Sequence, residues 1–158
     1  MTRSILSRLA LPVAAVAVLA AAGTFGPPRV TVTAVTGTPP TPNAVLSFVA
    51  EFHEDHGAPE LSARVLTVHN GIRVSNPIRV DVASQSGRFG IARQWEAGAP
   101  ALVVVTLRQG NDSAEAMVKV NAQGGITGIT HAIGTNLLRD RFPRAFTNAE
   151  IDAAFREM

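Results

Sequence analysis

Ala101-Leu-Val-Val-Val-Thr-Leu107, the turn Gly110-Asn111-Asp112-Ser113, and Ala114-Glu-Ala-Met-Val-Lys-Val120 decide the fold class. The first stretch is apolar on both faces of an extended chain, which predicts a central strand covered from two sides. In the last, Ala114, Ala116, Val118 and Val120 alternate with Glu115, Met117 and Lys119. That period of two is a strand with one buried face. A glycine-containing turn between two such runs makes an antiparallel hairpin.

The same period continues outward in both directions. Leu46, Phe48, Ala50 and Phe52 alternate with Ser47, Glu51 and His53. Leu61, Ala63, Val65 and Thr67 alternate with Ser62, Arg64 and Leu66. Asn70-Gly71 then marks a two-residue hairpin turn, because both residues tolerate positive φ. Ile72 and Val74, then Ile78, Val80 and Val82, then Phe89 and Ile91 continue the pattern, with Ser84-Gln-Ser-Gly87 as a turn. Asn121-Ala-Gln-Gly124-Gly125 turns the chain once more, and Ile126 and Ile129 open a last short strand. Six or seven strands over 44–130, with turns at short intervals, predict an all-β antiparallel sandwich with Greek-key connections.

The flanks read differently. Residues 1–22 carry Arg3, Arg8 and no acid, then the uncharged run Leu9–Ala22 ending in Ala20-Ala21-Ala22. These are the parts of a cleavable signal peptide. Extended through Gly26, the run is also the minimum for an uncleaved anchor, though Pro12 and many alanines weaken it. Residues 23–43 hold Pro27, Pro28, Pro39, Pro40 and Pro42 and read as a Pro/Thr-rich linker, within which Arg29-Val-Thr-Val-Thr-Ala-Val35 has the alternation of an edge strand. Residues 131–158 read as a loop and a short C-terminal helix at about 148–157. Thr147 and Glu150 fit a capping box, and Ile151, Ala154 and Phe155 form one apolar stripe.

Export changes the charge balance. The chain has 14 basic and 12 acidic residues, and the surplus of two is Arg3 and Arg8. The exported remainder is balanced, so nucleic acid is not an expected partner. The absence of cysteine excludes a disulfide scaffold, a thiolate metal site and a cysteine nucleophile.

Ser86-Gly-Arg-Phe-Gly-Ile-Ala-Arg-Gln-Trp95, the turn Glu96–Pro100 and the apolar strand to Arg108 resemble small exported bacterial Ig-like domains of the YtkA-like or transthyretin-like kind. The resemblance implies an Ig-like sandwich and an extracytoplasmic, periplasmic or secreted location. It brings no catalytic residue with it. There is no tyrosine for a tyrosine corner, and Trp95 is a candidate core residue.

Three clusters carry possible chemistry. Glu51, His53 and His56 could ligate copper or zinc if the chain bends at Glu54-Asp55. Otherwise they are a polar strand face running into an acidic turn; His69 and His131 could join only through folding. Arg139-Asp140-Arg141 with Arg144 suits anion recognition or a solvated loop. Gly124-Gly125-Ile-Thr-Gly128 lacks the Lys-Ser/Thr of a phosphate loop. No Gly-x-Ser-x-Gly elbow or arguable carboxylate pair occurs, so a non-enzymatic binding or accessory module is expected, with no cofactor unless the metal cluster holds one. The expected partner is an envelope protein, with membrane contact only through an unprocessed signal.

Overall fold

The computed structural model describes residues 27–52, 57–84, 87–138 and 140–158. The deciding hairpin forms as β7 (Ala101–Gln109) and β8 (Asp112–Val120), joined at Gly110, whose φ is +57°. β3 (Glu60–His69) pairs along the other side of β7. β4 (Ile72–Ile78) folds back on β3 through Asn70 and Gly71, at φ +52° and +77°. β9 (Ile126–His131) completes a five-stranded antiparallel sheet in the order β4-β3-β7-β8-β9. The second sheet has the order β1-β2-β6-β5, from β1 (Arg29–Ala34), β2 (Ala44–Glu51), β5 (Asp81–Val82) and β6 (Arg88–Ala92).

With β1, β2, β5 and β6 in one sheet and β4, β3, β7 and β8 in the other, the strands stand in the A-B-E-D over C′-C-F-G order of immunoglobulin-like sandwiches. β9 extends the second sheet beyond that set. The inner faces meet in one apolar core. Val30, Leu46, Phe48, Phe89 and Ile91 come from the smaller sheet, and Val65, Val103, Val105, Leu107 and Val118 from the larger. Phe48 and Phe89 lie opposite each other in register, their rings stacked with centroids 5.1 Å apart. Trp95 is a core residue, 6% exposed.

A second apolar layer explains why β7 is apolar on both faces. Helix α1 (Asn148–Arg156) lies on the outer face of the larger sheet. Ile151 and Ala154 pack there with Leu66, Leu102, Val104 and Met117, flanked by Phe146 and Phe155. The capping box is present: the Glu150 N–H donates to Thr147 Oγ1, and the Thr147 N–H donates to Glu150 Oε2 at 2.8 Å. A nine-residue helix is marginal alone, so this packing is what keeps it folded.

The structure departs from the sequence reading at the flanks. Residues 29–34 pair antiparallel with β2, so this part of the expected linker is sandwich. Val30 and Val32 are each 3% exposed, and that burial draws the stretch onto the sheet. Among the described residues the two sheets hold nine strands: β1, and eight from residue 44 on where six or seven were expected, the two-residue β5 being the shortest. Residues 131–158 hold more than a loop and a helix. β10 (Ile133–Thr135) and β11 (Arg141–Pro143) form a separate antiparallel hairpin between β9 and α1.

Candidate functional site

The β10–β11 hairpin is a finger with an apolar tip. Its shaft is three residue pairs long, Ile133 opposite Pro143, Gly134 opposite Phe142 and Thr135 opposite Arg141. The Phe142 ring lies over Gly134, so close that a Cβ there would stand 2.5 Å from Cζ. Asn136 builds the tip. Its Oδ1 accepts from the backbone N–H groups of Leu138 and Asp140, each at 2.9 Å, and its Nδ2 donates to Asp140 Oδ2 at 3.1 Å. Its own backbone N–H donates to the Asp140 carbonyl at 3.1 Å. Between these braces Leu137 is 102% exposed and Leu138 81%. Isolated exposed leucines are ordinary on a surface. Two adjacent ones on a braced turn are not, since burying each would gain about 1.5–3 kcal/mol.

The root of the finger is fixed to β8. The Ala132 N–H donates to the Glu115 carbonyl, the Glu115 N–H to the Arg144 carbonyl, and the Arg144 N–H to the Ala132 carbonyl. The Glu115 side chain, 5% exposed, accepts from Thr106 Oγ1 at 2.8 Å and from the Phe146 N–H at 2.7 Å, with Arg64 Nη2 at 3.6 Å. One buried carboxylate therefore ties β3, β7 and β8 to the segment between finger and helix.

Among the described residues, the arginines of this cluster do not converge. Arg144 turns to α1, where Nη1 donates to Glu150 Oε2 at 2.8 Å. Asp140 is engaged by Asn136, Arg141 is exposed at the start of β11, and Arg139 lies outside the described residues. The hydrogen bond from Arg144 holds the Glu150 carboxyl down at about 2, with the Thr147 backbone and hydroxyl adding to the effect. A carboxylate whose folded value is depressed contributes stability above its unfolded value and loses it as pH falls through the folded one. Helix anchoring should accordingly be complete above pH 4.5 and weaken between 4.5 and 2. Circular dichroism across that range checks this, and Glu150→Gln should flatten the Glu150 share of the titration. An unchanged titration in the variant would remove the assignment.

Of the expected metal ligands, Glu51 is the exposed last residue of β2, opposite Arg29, and His53 and His56 lie outside the described residues. Among the described residues no three His, Asp or Glu side chains gather in a metal-binding group. His69 is exposed at the end of β3. His131 Nε2 accepts from the Val32 N–H at 3.5 Å, linking β9 to the free edge of β1. The turn at Gly124 and Gly125 is closed by Asn121, whose Oδ1 accepts from the Gly125 N–H at 2.8 Å.

Two shallow depressions, of about 480 and 450 Å³, flank the segment Pro39–Pro42. Hydroxyls of Thr38, Ser47 and Ser84 and the Arg88 guanidinium line the first. The second carries the Arg79–Asp81 ion pair at 2.7 Å. Among the described residues, neither lining contains a histidine or a pair of carboxylates. Among the described residues no helix is long and apolar enough to cross a membrane.

Sequence reasoning missed the finger because its signal is short. Ile133, Leu137, Leu138 and Phe142 follow neither a period of two nor one of 3.6. Asn136 was the one available cue, as a residue that bonds the backbone beyond itself. No protein-family model, no curated protein and no solved structure matches the chain.

Proposed function

We propose that the chain is an exported, non-enzymatic binding or accessory module of the bacterial cell envelope, working through the β10–β11 finger. The exposure of Leu137 and Leu138 on a tip braced by Asn136 carries this reading. A folded chain that leaves two leucines in water at an ordered turn forgoes their burial until a partner arrives. The export component rests on the signal-like residues 1–22, which lie outside the described residues. The likeness to YtkA-like or transthyretin-like domains belongs to the same proposal.

A photo-crosslinking amino acid at position 138 tests the working surface in intact cells. The expected result is an adduct that depends on Leu137, formed more strongly than from the same probe at Ile72, 69% exposed at the β3–β4 turn. No adduct above that at position 72 would overturn the reading. The variant Leu137→Ser/Leu138→Ser should keep the wild-type stability within about 0.5 kcal/mol, as surface changes do. N-terminal sequencing of the processed chain should find a start near Gly23.

A further inference from the structure

Asn70-Gly71 is the one place in the sequence where glycine follows asparagine. The pair makes the two-residue turn between β3 and β4, at φ +52° and +77°. Both residues are exposed, and a Cβ built on Gly71 would meet nothing within 4 Å. Among the described residues the Gly71 N–H has no backbone partner. The backbone nitrogen that follows an asparagine can attack its side-chain amide, and glycine, lacking a Cβ, hinders that attack least. The other asparagines are guarded in different ways. Pro77 follows Asn76 and has no N–H. The Ala44 N–H after Asn43 donates to the Thr41 carbonyl at 3.2 Å. Asp112 after Asn111 is paired with Gln109 at the start of β8. The side chains of Asn121, Asn136 and Asn148 accept hydrogen bonds, that of Asn148 from Arg73 at 2.7 Å. Among the described residues Asn70 has none of these guards.

We propose that Asn70 is a spontaneous modification site, at which the chain deamidates and the isoaspartate product loosens β4 together with the first turn of α1. The Gly71 nitrogen, giving up its proton to solvent, bonds to Asn70 Cγ. The Cγ–Nδ2 bond breaks, ammonia leaves, and a cyclic imide closes. Water then opens the imide, at Cγ to leave aspartate or at the main-chain carbonyl to leave isoaspartate. Nothing is oxidised or reduced. Asp-Gly suits this kind of turn as Asn-Gly does. Isoaspartate instead adds one atom to the main chain beside the His69–Ile72 pair, and turn length is what sets hairpin register. β4 is an edge strand paired only with β3, so it can open locally. Arg73, next in β4, donates to Asp152 at 2.9 Å as well as to Asn148, and so passes a shift of β4 to the start of α1. The site is separate from the β10–β11 finger and does not depend on it.

The test ages the full chain at mildly alkaline pH and maps it by peptide mass spectrometry. The peptide bearing Asn70 should exchange NH for O in its mass several-fold faster than any peptide bearing another asparagine, and faster still as pH rises. Isoaspartate is identified by enzymatic methylation of its carboxylate. The isoaspartate form, purified by ion exchange, is then compared by hydrogen exchange with Asn70→Asp, which carries the same charge on an ordinary backbone. Exchange should quicken several-fold in 72–78 and 148–152 of the isoaspartate form and keep the wild-type rate in Asn70→Asp. Conversion at Asn70 no faster than at the other asparagines overturns the site. Equal exchange in the isoaspartate form and in Asn70→Asp overturns the coupling to β4 and α1.

Discussion

Phe89→Ala should cost about 3–5 kcal/mol, a large share of the roughly 5–15 kcal/mol by which domains of this kind are stable. Phe89 is fully buried, the second residue of β6, and faces the core between the sheets. Its ring stacks on Phe48 at an interplanar angle of 14°, so alanine also removes an aromatic pair worth about 0.5–1.5 kcal/mol beyond its area. The cavity has few ways to collapse. On one side β6 is held by β2, and on the other β5 pairs through only Asp81 and Val82. Leu46, Ile91 and Val103, all fully buried in the same core, have no solvent-facing freedom to fill the space. Urea unfolding followed by Trp95 fluorescence measures the loss. Phe89→Leu should lose much less, and a loss below about 1 kcal/mol for alanine would contradict the description of this core.

The sandwich was legible because its code is local. Strand alternation, the positive φ at Asn70 and Gly71 and the Thr147–Glu150 capping box are each specified within a few residues. Alternation puts Leu46, Phe48, Ala50 and Phe52 on one face, and all four are 3% exposed or less. What failed was anything set by distant parts of the chain. Leu66, Glu115 and Met117 stand on strand faces that read as outward, yet they are buried, because the apolar side of α1 and the segment before it come to rest there. β1 read as linker with only a hint of a strand, since two buried valines matter only once β2 lies beside them. The candidate site shows the same division. His53 and His56 are metal-ligand candidates by residue type alone, and Arg144 an anion-binding one by its neighbours in sequence. Arg144 instead serves Glu150, six positions on, while the finger tip depends on a turn that period counting does not register.

Glu115→Ala should cost about 2–3 kcal/mol and act first on the helix rather than on the sandwich. The side chain alone holds the Phe146 N–H, at 2.7 Å, and accepts from Thr106 Oγ1 at 2.8 Å. Alanine leaves both half-buried donors without their acceptor, and leaves Arg64 without its carboxylate. The Arg64 contribution is small because that side chain is 42% exposed. The Glu115 backbone bonds to Ala132 and Arg144 survive the substitution, so the finger keeps its root while Phe146 is released. Phe146 flanks the layer that α1 forms over Leu102, Val104 and Met117, and its release should loosen that layer first. Hydrogen exchange should therefore quicken in 146–156 well before it quickens in β3, β7 or β8. Glu115→Gln retains an acceptor and should recover much of the protection. Uniform quickening in Glu115→Ala would mean that helix and sandwich unfold as one unit. Unchanged exchange in the helix would mean that Glu115 does not hold it.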